Sequence, residues 1–293
     1  MRTTVEIAGA GVTLAADRWA VPDGTEPQGY ALLLHGGGQT RHSWRTTGAR
    51  LAASGWNALA VDTRGHGDSE WPSDGDYGTE ALIADLHAVI ATSTEKPVLI
   101  GASMGGMTSL IALGEDSTIA RGLVLVDIVP QPDPDGIDEI IGFMQSGLDG
   151  FETLDHAAAA IGAYSPSQPR RSSIDGLRKN LRLREGRWYW HWDPRLLSES
   201  NRAEKQSRQR YLRACAAAAA IRVPTLLVRG SRSHVVSHEG ADELLSLIPS
   251  AQRIDIADAS HMIAGDDNDQ FRENLLSFLE REFRQNADRS SRV

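Results

Sequence analysis

The chain contains 293 residues, of which 41% are hydrophobic and 24% charged, and its formal net charge is −9 at pH 7. This length and composition allow a large buried core, so we expect a globular protein with one α/β domain that carries an insertion. The acidic balance and the lack of a Lys/Arg block argue against a nucleic-acid partner, and the single cysteine, Cys215, excludes an internal disulfide and a cysteine-based zinc cluster.

The N-terminal residues and the overall hydropathy argue against export and against a membrane partner. Glu6 follows Arg2 closely, and Asp17 interrupts the sequence again soon after, so the apolar stretch of a secretory signal is missing. No segment reaches the roughly 18 uninterrupted apolar residues that a membrane span requires. We therefore expect a cytoplasmic protein.

Short apolar runs predict the strands of a sheet. Residues 3–7 and 12–19 are typical of two short strands joined by a turn at a sheet edge. Tyr30 to His35 is a continuous apolar run, as expected for a strand that is covered on both faces. Similar runs recur at residues 58–61, 97–100, 122–126 and 225–228, and residues 253–256 are the expected last strand. Helical periodicity is clearest at residues 80–90, 104–113 and 271–283. This alternation predicts an α/β fold with a mostly parallel sheet and helices on both faces.

The alternation stops after Pro130 and resumes at about Val223. The long polar stretch in between is rich in arginine and aromatic side chains, which indicates an inserted, mainly helical lid. Residues 212–221 are typical of a helix that leads back to the sheet. The predicted α/β core covers residues 1–130 and 213–286, and the predicted lid covers residues 131–212. Residues 287–293 are predicted to be a disordered tail.

The predicted strand at residues 97–100 runs into Gly-Ala-Ser-Met-Gly at residues 101–105, and a helical pattern follows directly. This is the Gly-x-Ser-x-Gly pattern of a nucleophile elbow, in which a strained serine projects from a tight turn between a strand and a helix. The residues two before and two after the serine must be small, which Gly101 and Gly105 satisfy. The N-terminal amides of the helix would help to stabilise an oxyanion. Ser103 is therefore the predicted nucleophile.

A glycine cluster follows the apolar run that ends at His35. Gly36, Gly37 and Gly38 would let backbone N–H groups approach a substrate oxygen closely. Together with the segment at residues 62–69 and the serine elbow, this cluster resembles the α/β-hydrolase family. The resemblance covers nearly the whole chain outside the lid.

The resemblance implies a serine hydrolase whose oxyanion hole is formed by the amides of Gly37 and Met104, with Gly38 beside the substrate. It implies no metal and no organic cofactor. His66 and Asp68 match a structural turn of the family, so no chemical role is expected for them.

The base of such a site is a histidine late in the chain, after the last strand. His261 lies in the loop between the predicted strand at residues 253–256 and the closing helix, where the resemblance also locates the base. A catalytic imidazole must be neutral to accept the serine proton, so we expect activity to fall below pH about 6.

The acid departs from the family pattern. Family members usually carry it in the loop after the strand predicted at residues 225–228, but that loop reads Gly-Ser-Arg-Ser-His from Gly230 to His234 and has no carboxylate. Some members use the end of the preceding strand, which makes Asp127 the candidate that would orient and stabilise the imidazole of His261. Two alternatives stay open: Asp127 ties down the entry to the lid, or the site is a dyad without an acid.

The predicted lid contains the densest aromatic cluster of the chain, at residues 187–193. Alternation there puts Trp188, Trp190 and Trp192 on one face, which would roof a largely apolar pocket above Ser103. The alternative is that these rings form the lid's own core and its anchor on the main domain. Acidic residues interleave with the lid's arginines, which favours a solvated surface over a site for an anionic substrate.

The leading hypothesis is hydrolysis of a small or medium carboxylic ester through an acyl-serine intermediate. The same apparatus serves carbon–carbon bond hydrolysis of a dienoic keto acid, lactone opening and acyl transfer to peroxide, and substrate trials separate these reactions. A non-catalytic ligand-binding role is a hypothesis of a different class, and the missing acid in the loop of His234 is its only support. The expected partner is a small-molecule substrate, and the oligomeric state stays open.

Overall fold

The computed structural model describes residues 1–164, 177–178, 180–261, 263 and 268–284. Its strands, in chain order, are β1 (Arg2–Ala8), β2 (Thr13–Trp19), β3 (Gly29–Leu34), β4 (Trp56–Val61), β5 (Val98–Ala102), β6 (Gly122–Val126), β7 (Leu181–Arg184), β8 (Arg187–Trp190), β9 (Thr225–Gly230) and β10 (Gln252–Ile256). The predicted tail at residues 287–293 lies outside the described residues.

The central feature is an eight-stranded sheet, within the described residues, in the order β1-β2-β4-β3-β5-β6-β9-β10. From β4 to β10 all neighbouring strands of this order pair in parallel. β1 pairs with β2, and β2 with β4, in antiparallel register. The predictions of a mostly parallel sheet and of a strand pair at its edge are therefore confirmed.

Helices flank the sheet and follow the predicted alternation. They are α1 (Arg45–Ala53), α2 (Thr79–Ile90), α3 (Met104–Glu115), α4 (Pro134–Gln145), α5 (Leu154–Tyr164), α6 (Glu199–Lys205), α7 (Arg208–Ala220), α8 (His238–Leu247) and α9 (Asp269–Leu279). Across the described ranges, no helix combines the length and the hydropathy needed to span a bilayer.

Alternate residues of the central strands face two separate apolar cores. In β3, Leu32 and Leu34 belong to one core, whereas Ala31 and Leu33 belong to the other. Side chains from α2, α3, α7 and α8 complete the first core, and side chains from α1 and α9 complete the second. Because both faces of these strands are covered, their sequences are continuous apolar runs instead of alternating ones.

Between β6 and β9 the chain forms α4, α5, the antiparallel hairpin β7–β8, α6 and α7. Apolar side chains of this segment form a third cluster, which includes Phe151, Leu181, Trp190 and Trp192. Tyr77 from the core also belongs to that cluster. The insertion therefore has an apolar interior of its own that continues onto the core.

The last helix of the insertion, α7, begins earlier than predicted and packs on the core. It begins at Arg208 and not at Leu212, because the hydroxyl of Ser207 caps it by accepting a 3.1 Å hydrogen bond from the Arg210 amide. A Cβ on Gly114 of α3 would lie 2.4 Å from the Cα of Ala217 in α7, so the two helices are in close contact. The predicted boundary between lid and core thus falls inside one continuous helix.

Candidate active site

Ser103 stands in the turn between β5 and α3. Its backbone has φ 46° and ψ −111°, a region that residues other than glycine rarely adopt. A Cβ on Gly101 would lie 2.5 Å from the carbonyl oxygen of Gly105, and a Cβ on Gly105 would lie 2.6 Å from that of Leu34. The turn therefore demands glycine at both positions that the sequence pattern singled out. Ser103 lines a cavity at the carboxyl end of the parallel strands.

Asp127 follows β6 directly, and its side chain is fully buried. Its backbone is also left-handed, with φ 50°. One carboxylate oxygen, Oδ1, accepts a 2.9 Å hydrogen bond from the Gly230 amide, and the other, Oδ2, accepts a 2.5 Å hydrogen bond from the Ser233 hydroxyl. These donors compensate for the loss of water around a buried carboxylate.

The imidazole of His261 completes the hydrogen bonds of this carboxylate. Its Nδ1 lies 2.7 Å from Oδ2 of Asp127, and 13% of its side chain is exposed. With Nδ1 donating to the carboxylate, Nε2 is the acceptor nitrogen of the neutral ring. His261 and Ser103 line the same cavity. The structure therefore brings together the three residues that were predicted as nucleophile, base and acid.

The loop after β9, where the family pattern predicts an acid, instead provides hydrogen-bond donors to Asp127. Gly230 and Ser233 are its hydrogen-bond donors, as described above, and Ser233 also accepts from the amides of Val235 and Val236 at 3.1 Å. His234 is exposed and its Nδ1 lies 3.3 Å from Oε2 of Glu139. Ser233 was not among the predicted site residues. The one sequence feature that pointed to Ser233 was its position in the loop where family members usually carry the acid.

Two backbone amides near Ser103 have no hydrogen-bond partner in the described part of the chain. Among the described residues, no acceptor is within hydrogen-bond reach of the Gly37 and Met104 N–H groups. The neighbouring amides differ, because Gly36 N–H donates to the Gln39 side chain and Gly38 N–H donates to His66, each at 3.1 Å. The two amides predicted to form the oxyanion hole are thus the ones left available beside Ser103.

Two buried histidines, His35 and His66, form hydrogen bonds with the glycine loop at residues 36–38. His35 Nδ1 donates to Gly36 O at 2.8 Å, and its Nε2 accepts from the Thr63 amide at 3.0 Å. Burial lowers the pKa of His35, although the charge of Asp62 opposes the shift. The ring centroids of His35 and His66 lie 5.0 Å apart. Neutral imidazoles in this position let both rings accept backbone N–H groups.

The turn that carries His66 is fixed by ionic contacts. Arg41 binds Asp62 and lies 2.9 Å from Asp68. Burial alone would raise the pKa of Asp68, but the hydrogen bond and the charge of Arg41 lower it below its usual value. Asp68 is 3.6 Å from His191 and 3.5 Å from Arg182, so the turn also contacts the insertion. These contacts fix the turn and connect the core to the insertion.

The cavity has a volume of about 770 Å³ and is lined by core and insertion residues alike. Among the residues predicted beside the substrate, Gly38, Trp190 and Trp192 line it. Trp188 does not: its backbone bonds Phe151, and the guanidinium of Arg178 lies 5.3 Å from its ring. Trp188 was predicted to roof the pocket with the other two tryptophans, and this is corrected: the residue is not on the cavity wall, and its partly buried ring packs against the insertion's apolar cluster. Trp190 and Trp192 also belong to the insertion's own apolar cluster.

The cavity wall is mostly apolar near the aromatic residues. Phe143 and Tyr164 line it, and their rings stack with centroids 4.3 Å apart. Burial raises the pKa of Tyr164 to about 12, so its hydroxyl stays protonated at neutral pH. In the described part of the chain, no group of three or more His, Cys, Asp or Glu side chains is arranged to hold a metal ion.

Comparison with known proteins gives one family match and several relatives. The chain matches the family described as alpha/beta hydrolase fold over residues 32–267. An esterase of Mycobacterium tuberculosis is 31% identical over 189 residues, which are 61% of this chain and 60% of that protein. A 3-hydroxybutyrate-oligomer hydrolase of Cupriavidus necator is 25% identical over 244 residues, 78% of this chain and 81% of that protein. The match thus spans less than two thirds of the first relative's length.

A solved structure shows the same fold. The crystal structure of E-2-(acetamidomethylene)succinate hydrolase is similar to this chain with a TM-score of 0.83, over 96% of this chain and 100% of that one. The sequence identity is 19%, so this similarity concerns the fold alone.

Proposed function

The chain belongs to the α/β-hydrolase family, and we propose that it is a serine hydrolase that cleaves small or medium carboxylic esters. The observation that carries the proposal is the 2.7 Å contact between His261 Nδ1 and the buried carboxylate of Asp127, in an imidazole that shares a cavity with Ser103. A buried acid that orients an imidazole beside a serine is the arrangement that activates a hydroxyl nucleophile.

In the first half of the reaction, Ser103 Oγ attacks the ester carbonyl carbon and its proton passes to Nε2 of His261. Asp127 keeps the Nδ1–H of His261 in place and stabilises the imidazolium. The carbonyl oxygen becomes an oxyanion and accepts hydrogen bonds from the free amides of Gly37 and Met104. When the intermediate collapses, the carbon–oxygen bond to the alcohol breaks and the alcohol leaves with the proton from His261.

In the second half, water replaces the alcohol. His261 Nε2 takes a proton from the water as its oxygen attacks the acyl carbon, and the same two amides hold the second oxyanion. The bond to Ser103 Oγ then breaks, and the serine recovers its proton from His261. One ester and one water give one carboxylic acid and one alcohol.

The choice of an ester is supported by the relatives named as an esterase and as a 3-hydroxybutyrate-oligomer hydrolase. The mixed wall of the cavity supports a small or medium acyl group, since apolar side chains such as Met107 and Phe143 line it together with Ser103. We assign residues 131–212 the role of a lid, because Met144, Trp190 and Trp192 line the cavity from that segment.

A fluorophosphonate probe tests this proposal without knowledge of the natural substrate, because it reacts with activated serines. We expect rapid labelling of Ser103, mapped by mass spectrometry, and loss of labelling in Ser103→Ala. The matched control is Ser246→Ala, which removes an exposed serine on α8 and should be labelled like the wild type. A well-folded wild-type protein that is not labelled and hydrolyses no member of a para-nitrophenyl ester panel would overturn the proposal.

A further inference from the structure

The cavity above Ser103 is lined by several cationic side chains, although the chain as a whole carries a net charge of −9. Arg202 of α6 and Arg208 and Arg210 of α7 all line it. Among the described lining residues the single carboxylate is Asp138. The cavity therefore has a local charge opposite to that of the protein, which attracts an anion.

Arg202 is half-buried, and its guanidinium differs from those of the buried arginines of the fold in having no described partner. The guanidinium groups of Arg41, Arg64 and Arg229 each bind a carboxylate or a backbone carbonyl. Arg202 Nε is buried and has no hydrogen-bond acceptor among the described residues, as is also the case for the Nε atoms of Arg41, Arg121 and Arg210. Those three side chains have other partners, whereas the Arg202 guanidinium has no hydrogen bond or ion pair with any described residue. A buried donor without a partner is costly, and a cation without a counter-charge is more so. A carboxylate on a bound ligand would supply both the hydrogen-bond acceptor and the negative charge that Arg202 lacks.

The neighbouring arginines make Arg202 the anchor. Burial lowers the pKa of Arg210, and the negative charge of Glu204 opposes that shift, so Arg210 already has a counter-charge nearby. Arg208 is exposed and stands at the first turn of α7, where it adds positive potential near the cavity without being desolvated. Arg202 combines partial burial, a position on the cavity wall and the lack of a described partner.

We propose that the cavity takes esters that carry a carboxylate remote from the scissile bond, and that Arg202 binds this carboxylate. The proposal rests on the serine hydrolase function above and names its substrate class. A guanidinium binds a carboxylate through two parallel N–H donors, which fixes both position and orientation. A cavity of about 770 Å³ accommodates a substrate that spans from Ser103 on the core to Arg202 on the insertion.

A matched pair of substrates tests the carboxylate. The para-nitrophenyl monoester of adipic acid carries a terminal carboxylate, and para-nitrophenyl adipamate has a neutral amide of the same shape in its place. We expect wild-type protein to favour the anionic ester in kcat/KM by about tenfold or more. In Arg202→Gln this ratio should fall to near one. Arg50→Gln, which removes an exposed arginine on α1 outside the cavity, should keep the wild-type ratio.

A binding measurement keeps this inference separate from the hydrolase proposal. Calorimetry on Ser103→Ala should show that adipate binds at least about tenfold more tightly than adipamide, and that the added change Arg202→Gln removes the difference. Hydrolysis of both esters with a ratio near one in the wild type overturns the carboxylate subsite and leaves the hydrolase standing. Absence of hydrolysis and of fluorophosphonate labelling, with adipate still bound through Arg202, overturns the hydrolase and keeps the anion site.

Discussion

The Gly38 amide donates a 3.1 Å hydrogen bond to Nε2 of His66, a residue 28 positions further along the chain. His66 is fully buried, and its Nδ1 lies 3.0 Å from the carbonyl oxygen of Arg64. With Nδ1 donating to that carbonyl, Nε2 is fixed as an acceptor. The contact ties the glycine loop, with the free Gly37 amide, to the rigid turn after β4.

We expect His66→Leu to lower kcat by about tenfold, because the glycine loop loses the acceptor that positions the Gly37 amide. His66→Gln, which offers an amide oxygen, should recover much of that loss. Steady-state kinetics on a para-nitrophenyl ester and the rate of fluorophosphonate labelling both report the effect. Equal labelling rates for wild type, His66→Leu and His66→Gln would show that His66 only supports the fold.

Asp127→Asn is expected to lower kcat by about ten-thousandfold while the protein stays folded. An asparagine amide facing Nδ1 of His261 favours the tautomer in which Nε2 carries the proton and cannot accept another from Ser103. The measurement is single-turnover release of para-nitrophenol, with circular dichroism to show that the fold is intact. Asp135→Asn, an exposed residue in the first turn of α4, is the control and should behave as wild type. A small effect at Asp127 would favour the dyad without an acid.

Ser233→Ala is expected to lower kcat by about tenfold. The Ser233 hydroxyl is a donor to Oδ2 of Asp127, the oxygen that also faces His261, and hydrogen bonds to charged groups are among the stronger ones. Ser231→Ala, in the same loop, is the matched control, because the Ser231 hydroxyl accepts from the Asp258 amide instead. Similar kcat values for the two alanine variants would mean that the carboxylate of Asp127 needs no support from Ser233.

Local sequence patterns predicted the parts of the site that depend on local geometry. The elbow at Ser103 needs glycine at two fixed positions, so its sequence is as specific as its shape. Asp127 was found because the loop from Gly230 to His234 lacks a carboxylate, and the end of β6 is the neighbouring position in the sheet. Continuous apolar runs predicted the strands, since burial on both faces leaves few polar positions.

Contacts between distant segments could not be predicted from these patterns. Ser233 reaches Asp127 across 106 positions, and a lone serine in a loop has no periodicity or charge pattern that marks it as a donor. The support of Gly38 by His66 is of the same kind. The alternation that grouped Trp188 with Trp190 was correct for the strand, but the environment of each ring depends on which element packs against β8. Arg202 became notable only because the fold places it on the cavity wall without a described partner for its guanidinium.

The buried His35 predicts a pH dependence of stability. Burial lowers its pKa in the folded protein, so as the pH falls below about 6.5 the unfolded chain takes up the proton before the folded protein does. The free energy of unfolding should therefore decrease on acidification from pH 7.5 to 5.5, by at most about 1.4 kcal/mol per pH unit for this one group.

Urea unfolding at several pH values between 7.5 and 5.5 measures this slope. His35→Gln keeps hydrogen-bonding groups but cannot take up a proton. The dependence of its free energy of unfolding on pH should therefore be shallower than in the wild type, by the contribution of this one titrating group. The matched control is His156→Gln, which removes an exposed histidine on α5 and should keep the wild-type slope. Parallel slopes for wild type and His35→Gln would show that His35 is not the group whose protonation the folded state resists.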